Sequence, residues 1–117
     1  MGKTYETKEN EHKEFLQTHY YKCMIDQMIK FVPDVLTEMG CSILSVNEDY
    51  NEISAYCDDY DITVKLVMVE INSTSVDVFI SSRFIFDFSK TKNVILDLYK
   101  RIGKRFEFKG LSLNRDK

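Results

Sequence analysis

The chain has 117 residues, of which 44% are hydrophobic and 30% are charged. This length and composition are typical of a single globular domain and argue against disorder across most of the chain. No apolar run approaches the roughly 20 residues that a transmembrane helix needs, so we expect no membrane partner.

Charge is distributed unevenly along the chain. Residues 89–117 contain nine lysines and arginines and three acidic residues, whereas residues 1–88 contain seven basic and sixteen acidic residues. The overall net charge of −3 hides this difference. Such a distribution is typical of a surface for anions or for an acidic partner, and equally of two ordinary solvated faces.

The first residues of the chain are polar and charged, and they predict a flexible N-terminal arm over residues 1–13. The arm lacks the apolar segment of a signal peptide, which favours a cytoplasmic location. We predict one domain over residues 14–109 and a flexible tail over residues 110–117. The segment from Lys13 to Thr18 forms either a short strand or the beginning of the first helix.

The first helix is predicted from Tyr20 to Met39, because apolar residues recur there at spacings of three and four. Pro33 interrupts the pattern, since proline lacks a backbone donor and clashes with the preceding turn. Either the helix kinks at this position, or a second helical turn begins at Val32. Gly40 then provides the C-terminal stop.

After the first helix, the apolar spacing changes to the alternation that is typical of strands. Four strands are predicted, and short polar turns separate them: Ser42–Asn47, Glu52–Cys57, Asp61–Glu70 and Thr74–Ser82. Short turns between such segments indicate an antiparallel meander.

The last helix is predicted from Lys90 to Ile102, with Ser89 as its N-cap and Gly103 as its stop. Beyond it, Phe106 and Phe108 form either a short extra strand or a packed tail. The whole pattern predicts an α+β two-layer sandwich, in which an antiparallel sheet of four or five strands packs against two helices.

Several short motifs resemble a class of small bacterial domains of unknown function that have a TATA-binding-protein-like arrangement. The matching segments are Glu38-Met39-Gly40-Cys41, Ser81-Ser82-Arg83, Asp87-Phe88-Ser89-Lys90 and Asn93. The resemblance covers roughly residues 15–103 and implies the element order β-α-β4-α. It implies a fold and no activity, because function belongs to sites rather than to folds.

No pattern predicts a catalytic, metal or cofactor site, so we expect a protein that is not an enzyme. His12 and His19 stand in no arrangement with a nucleophile or a second metal ligand, and both are predicted to be surface residues. The spacing of Cys23, Cys41 and Cys57 lacks the pairs of a zinc site and predicts buried structural thiols. The chain also has no glycine-rich phosphate loop.

Aromatic and basic residues near the C-terminus give the remaining functional signal. Phe84 and Phe86 indicate core packing, although aromatic side chains beside basic ones are also typical of single-strand nucleic-acid binding. Six basic residues are candidates for contact with an anion or a partner: Lys90, Lys100, Arg101, Lys104, Arg105 and Lys109.

Three functional hypotheses follow from these observations. The leading hypothesis is a non-enzymatic binding or accessory domain that acts through protein–protein contacts or self-association. The alternative is a nucleic-acid or anionic-surface binder that uses the basic C-terminal region, although the isoelectric point of about 5.4 weighs against it. The third hypothesis is an enzyme or small-ligand binder with a pocket between a helix and the sheet.

Overall fold

The computed structural model describes residues 4–6, 17–82 and 88–110. Its two helices are α1 (Ile25–Glu38) and α2 (Phe88–Arg105). Its strands are β1 (Thr4–Glu6), β2 (His19–Lys22), β3 (Ser42–Asn47), β4 (Glu52–Tyr56), β5 (Tyr60–Glu70), β6 (Ser73–Ser82) and β7 (Glu107–Gly110). The α+β class and the two helices are therefore confirmed.

All strand pairings are antiparallel, and six strands form an open sheet in the order β3-β4-β5-β6-β2-β7. The short β1 also pairs with β6, next to the segment of β6 that pairs with β2. The prediction of four or five strands was therefore too low. The meander from β3 to β6 was predicted with end positions within one residue of those observed.

The largest error of the sequence analysis concerns β2. Tyr20–Lys22 was assigned to the first helix, but these residues are extended and pair with β6 and β7. Tyrosine and other aromatic residues favour strands, and two sheet neighbours outweigh the weak helical spacing of this segment. Of the alternative segment Lys13–Thr18, residues 13–16 lie outside the described part of the chain.

Helix α1 begins at Ile25, where the Gln27 side chain accepts a hydrogen bond from the Met24 N–H. Pro33 lies inside one helix that runs from Ile25 to Glu38, so no second helix begins at Val32. The predicted stop at Gly40 is confirmed, with a backbone φ of 92°.

A Schellman motif ends α1 at this glycine. The Cys41 N–H donates to the Leu36 carbonyl oxygen at 2.9 Å, and the Gly40 N–H donates to the Thr37 carbonyl oxygen at 3.0 Å. These two bonds satisfy carbonyls that the helix end would otherwise leave without partners. The motif also turns the chain directly into β3.

Helix α2 is longer than predicted at both ends. It begins at Phe88, which places Ser89 one residue inside the helix rather than at the N-cap, and it continues past Gly103 to Arg105. Glycine weakens a helix interior by only about 1 kcal/mol, which the packing of the buried stripe of α2 outweighs. The extra strand beyond it, β7, is confirmed in place of a packed tail.

Both helices pack on the same face of the sheet and form one core with it. Fully buried core residues are Met28, Val32 and Leu36 on α1, Ile95, Leu98 and Ile102 on α2, and Ile53, Ile62, Val64 and Ile80 on the sheet. Burial of each such side chain contributes about 1.5–3 kcal/mol relative to exposure. Two of the three predicted buried thiols, Cys23 and Cys41, are buried, and Cys57 is half-buried.

Several predicted segments lie wholly or partly outside the described residues. Strand β1 belongs to the predicted N-terminal arm, and the other residues of that arm are outside. Residues 111–117 of the predicted tail, together with Phe84 and Phe86, also lie outside the described residues. Among the described residues, no helix has the length and apolar character needed to cross a bilayer.

Candidate functional site

The structure brings four of the six candidate cations together on one side of α2. Lys100, Arg101, Lys104 and Arg105 line a cavity of about 550 Å³. Lys104 lies four positions after Lys100 and three after Arg101, and Arg105 lies four after Arg101, so helical spacing makes these side chains neighbours on the helix surface. The two other candidates do not line this cavity: Lys90 lies in the first turn of α2, and Lys109 lies on β7.

The cavity is a groove between the two helices, and α1 forms its other side. Phe31 and Val35 give it an apolar floor, and Glu38 lies at the end of α1. The Phe31 ring meets the Phe106 ring edge to face, with the ring centroids 5.4 Å apart. We call this cavity the interhelical groove.

Arg101 is held inside the groove by two carboxylates. Its Nε donates to the Asp97 Oδ1 at 3.0 Å, one turn earlier on α2, and one of its terminal nitrogens donates to the Glu38 Oε1 at 3.2 Å. The second contact joins α2 to α1. The charge of Arg101 is thus balanced within the chain, and its contact with Glu38 links the two helices.

The other cations of the groove are more available to a ligand. Lys100, Lys104 and Arg105 are exposed, and within the described part of the chain no salt bridge engages either lysine. The Arg105 guanidinium lies 4.6 Å from the centroid of the Phe106 ring, which keeps it beside the groove. Lys104 and Arg105 also lie in the last helical turn, where positive charge stabilises the helix dipole.

A second, smaller cavity of about 250 Å³ lies on a neighbouring face of α2, against β2 and β7. Its walls are largely aromatic, and Lys100 borders both this cavity and the interhelical groove. His19 stacks on Tyr99 with the ring centroids 3.5 Å apart and the rings nearly parallel, and Phe108 lies 4.9 Å away.

Hydrogen bonds fix the polar atoms of this aromatic cluster. The Tyr21 hydroxyl donates to the Tyr99 carbonyl oxygen at 3.3 Å and lies 3.2 Å from His19 Nδ1. The Tyr99 hydroxyl donates to the Val76 carbonyl oxygen at 3.2 Å. Burial lowers the pKa of His19 to about 4, so the imidazole is neutral at physiological pH.

The position of His19 corrects the sequence analysis, which placed this residue on the surface near a helix start. It lies instead on a strand, half-buried between sheet and helix, because β2 takes the place of the predicted first helical turns. Among the described residues, no group of three or more His, Cys, Asp or Glu side chains is arranged to hold a metal ion.

The comparisons with known proteins assign neither a family nor an activity. No protein-family model matches the chain, and no curated protein has a matching sequence. The resemblance to TATA-binding-protein-like bacterial domains stays a prediction. The interhelical groove, with its exposed cations and apolar floor, is therefore the feature of the molecule that indicates a function.

Proposed function

We propose that this protein is a small, non-catalytic binding domain that holds an acidic segment of a partner protein in the interhelical groove. The observation that supports this function is the combination of cations with an apolar floor. Lys100, Lys104 and Arg105 border a groove whose base is formed by Phe31 and Val35. A segment that alternates acidic and apolar side chains complements such a surface in both charge and hydrophobicity.

The carboxylates of the groove favour a protein segment over nucleic acid. Glu38 and Asp97 line the same cavity as the lysines, and together with Arg101, which contacts both, they leave one net negative charge beside the regularly spaced phosphates of a nucleic-acid strand. A nucleic-acid strand carries a negative charge on every phosphate, so the overall charge of −3 repels it more strongly than a short peptide with only a few acidic side chains. A peptide can place its acidic side chains beside the lysines and its apolar side chains over Phe31.

Binding of a labelled peptide tests this function directly. The probe is a fluorescein-labelled peptide of alternating glutamate and leucine residues, and fluorescence anisotropy follows its binding to the full chain. We expect Lys104→Glu to weaken binding about tenfold, because it removes one attraction and adds a repulsion, together about 1.4 kcal/mol at exposed positions. Lys104 is exposed but lies in the last turn of α2, so the charge reversal should lower the melting temperature by only a few degrees and leave the fold intact.

Lys109→Glu is the matched control for this experiment. It reverses one charge in the same basic C-terminal region, but Lys109 lies on β7 and does not line the groove. Equal weakening by the two variants would show that general charge attraction, rather than the groove, binds the peptide. A single-stranded oligonucleotide that binds more tightly than the peptide at physiological salt would favour nucleic acid instead.

A further inference from the structure

The β3–β4 hairpin brings two cysteines together that are far apart in the sequence. Cys41 immediately precedes β3, and Cys57 immediately follows β4. Ser42 pairs with Tyr56 at the end of this antiparallel ladder, so the next pair of opposing positions is Cys41 and Cys57. Their Sγ atoms are 2.7 Å apart.

Directly opposed positions of an antiparallel pair have the backbone separation that a disulfide needs. Their Cα atoms are roughly 4.5–5.5 Å apart, within the range of about 4.4–6.8 Å that disulfides span. Because the Sγ atoms of Cys41 and Cys57 are already 2.7 Å apart, formation of a bond of about 2.05 Å requires only a small movement of the two side chains. The Schellman motif at the end of α1 holds Cys41 in this position through its backbone N–H.

The two thiols differ in their access to solvent. Cys41 is buried, and its Sγ lies 3.6 Å from the Tyr60 hydroxyl. Cys57 is only half-buried, so it is the more accessible of the two to a reagent. The third cysteine, Cys23, is buried at the end of β2, where its carbonyl oxygen accepts a hydrogen bond from the Thr74 hydroxyl.

We propose that Cys41 and Cys57 form an oxidation-sensitive pair that low-molecular-weight disulfides, such as oxidised glutathione, convert into an intramolecular disulfide. Free thiols are the normal state of such cysteines in a reducing compartment, and cytosolic disulfides are generally transient or redox-sensing. This site is separate from the interhelical groove and does not depend on the proposed peptide binding.

The oxidation takes place in two exchange steps. The Cys57 thiolate attacks one sulfur of oxidised glutathione, and a mixed disulfide forms while one glutathione leaves as the thiolate and takes up a proton. Cys41 then loses its proton and attacks the Cys57 sulfur, which releases the second glutathione. Two protein thiols are oxidised, and one glutathione disulfide is reduced to two thiols.

The order of these steps follows from the environment of each sulfur. Burial and the contact with Cys57 raise the pKa of the Cys41 thiol to about 12. Cys41 is therefore a poor nucleophile toward an external reagent, since the thiolate is the attacking species. Once Cys57 carries glutathione, proximity compensates for the small thiolate fraction of Cys41.

The test is to incubate the full chain with an excess of oxidised glutathione, alkylate the remaining thiols under denaturing conditions, and map the peptides by mass spectrometry. We expect two of the three thiols to become protected, a peptide pair linked through Cys41 and Cys57, and one alkylated thiol at Cys23. Reduction with dithiothreitol should restore three alkylated thiols. The Cys23→Ala variant should give the same linked peptides.

Three results would overturn the proposal: all three thiols remain alkylated, Cys57 stops at a stable mixed disulfide with glutathione, or the linked peptides join two different chains. The Cys57→Ser variant should form no intramolecular disulfide, and a persistent one would also contradict the assignment. If the Cys57→Ser variant does not fold, the peptide map of the parent chain is sufficient to decide whether the disulfide forms. Because Lys104→Glu leaves both cysteines in place, failure of the peptide-binding test leaves this test unaffected.

Discussion

Replacing His19 tests whether the aromatic cluster between α2 and β2 makes the stability of the protein dependent on pH. In the folded chain the His19 ring is half-buried and stacked on Tyr99, with Phe108 close by. The His19→Phe variant keeps an aromatic ring in this position but removes the titrating group. Comparison of the two proteins therefore isolates the contribution of His19 protonation.

The expected magnitude follows from the difference in pKa between the folded and unfolded states. Burial lowers the pKa of His19 from 6.5 to about 4. Between these values the unfolded chain binds more protons than the folded chain, so the free energy of unfolding falls as the pH falls. From about pH 7.5 to about pH 4.5 this loss is at most about 2.5 kcal/mol, at about 1.4 kcal/mol per pKa unit.

One interaction opposes this loss. A protonated imidazole is attracted to the face of the Tyr99 ring, which contributes about 1 kcal/mol in the other direction. Desolvation is the larger effect, and we expect a net loss of about 1.5 kcal/mol that is specific to the parent protein. The loss should be complete only below about pH 4 and absent above about pH 7.

Urea denaturation at a series of pH values, followed by circular dichroism, measures this loss. The free energy of unfolding of the parent should fall more steeply than that of His19→Phe between about pH 6.5 and pH 4.5. If the free energy of unfolding changed equally with pH in the two proteins, His19 would have the same pKa in the folded and unfolded states, and the prediction would be wrong. A steeper fall for the variant would also refute it.

Two further predictions concern the stability of the fold. Ile80→Ala should lower the free energy of unfolding by about 2–5 kcal/mol, because Ile80 is fully buried opposite Ile62 and truncation of its side chain leaves a cavity in the core. Urea denaturation measures this loss. A loss below about 1 kcal/mol would mean that the core collapses around the site. Gly40→Ala should lower the free energy of unfolding by about 1–2 kcal/mol through backbone strain alone, since the φ of Gly40 is +92° and a Cβ would meet no atom within 4 Å. An unchanged melting temperature would show that alanine adopts this backbone conformation without strain.

The meander and the two helices could be predicted from the sequence because their signals are local. Strands β3 to β6 alternate apolar and polar residues between short turns, and the positions of their ends follow from those turns. Gly40 likewise marks the end of α1 through its own conformation. Each of these features depends on residues only a few positions apart.

β2 could not be predicted in the same way, because its pairing partners are distant in the sequence. His19–Lys22 contains four residues, too few to distinguish strand from helix by spacing. Ser75 and Phe108, which lie opposite Tyr20 and Tyr21, determine its conformation. The stacking of His19 on Tyr99 follows from this placement and was missed for the same reason.

The interhelical groove was predicted in part. The basic residues of α2 were identified as candidates, since their charge and their helical spacing are visible in the sequence. The apolar floor from Phe31 and Val35 and the contact of Arg101 with Glu38 depend on how the two helices pack. The opposition of Cys41 and Cys57 likewise needed the register of β3 against β4.

The position of β2 between β6 and β7 also determines the order in which we expect the chain to fold. The β3–β6 meander joins neighbouring segments through short turns, so its loops cost little entropy to close. Strand β2 must then find β6 across the length of the meander, and β7 can join only after β2, its neighbour within the described sheet. Folding should therefore end at the edge of the sheet formed by β7, next to which Phe106 packs against Phe31. A nascent chain would then acquire its interhelical groove only after the residues up to Arg105, the last that lines it, have been synthesised.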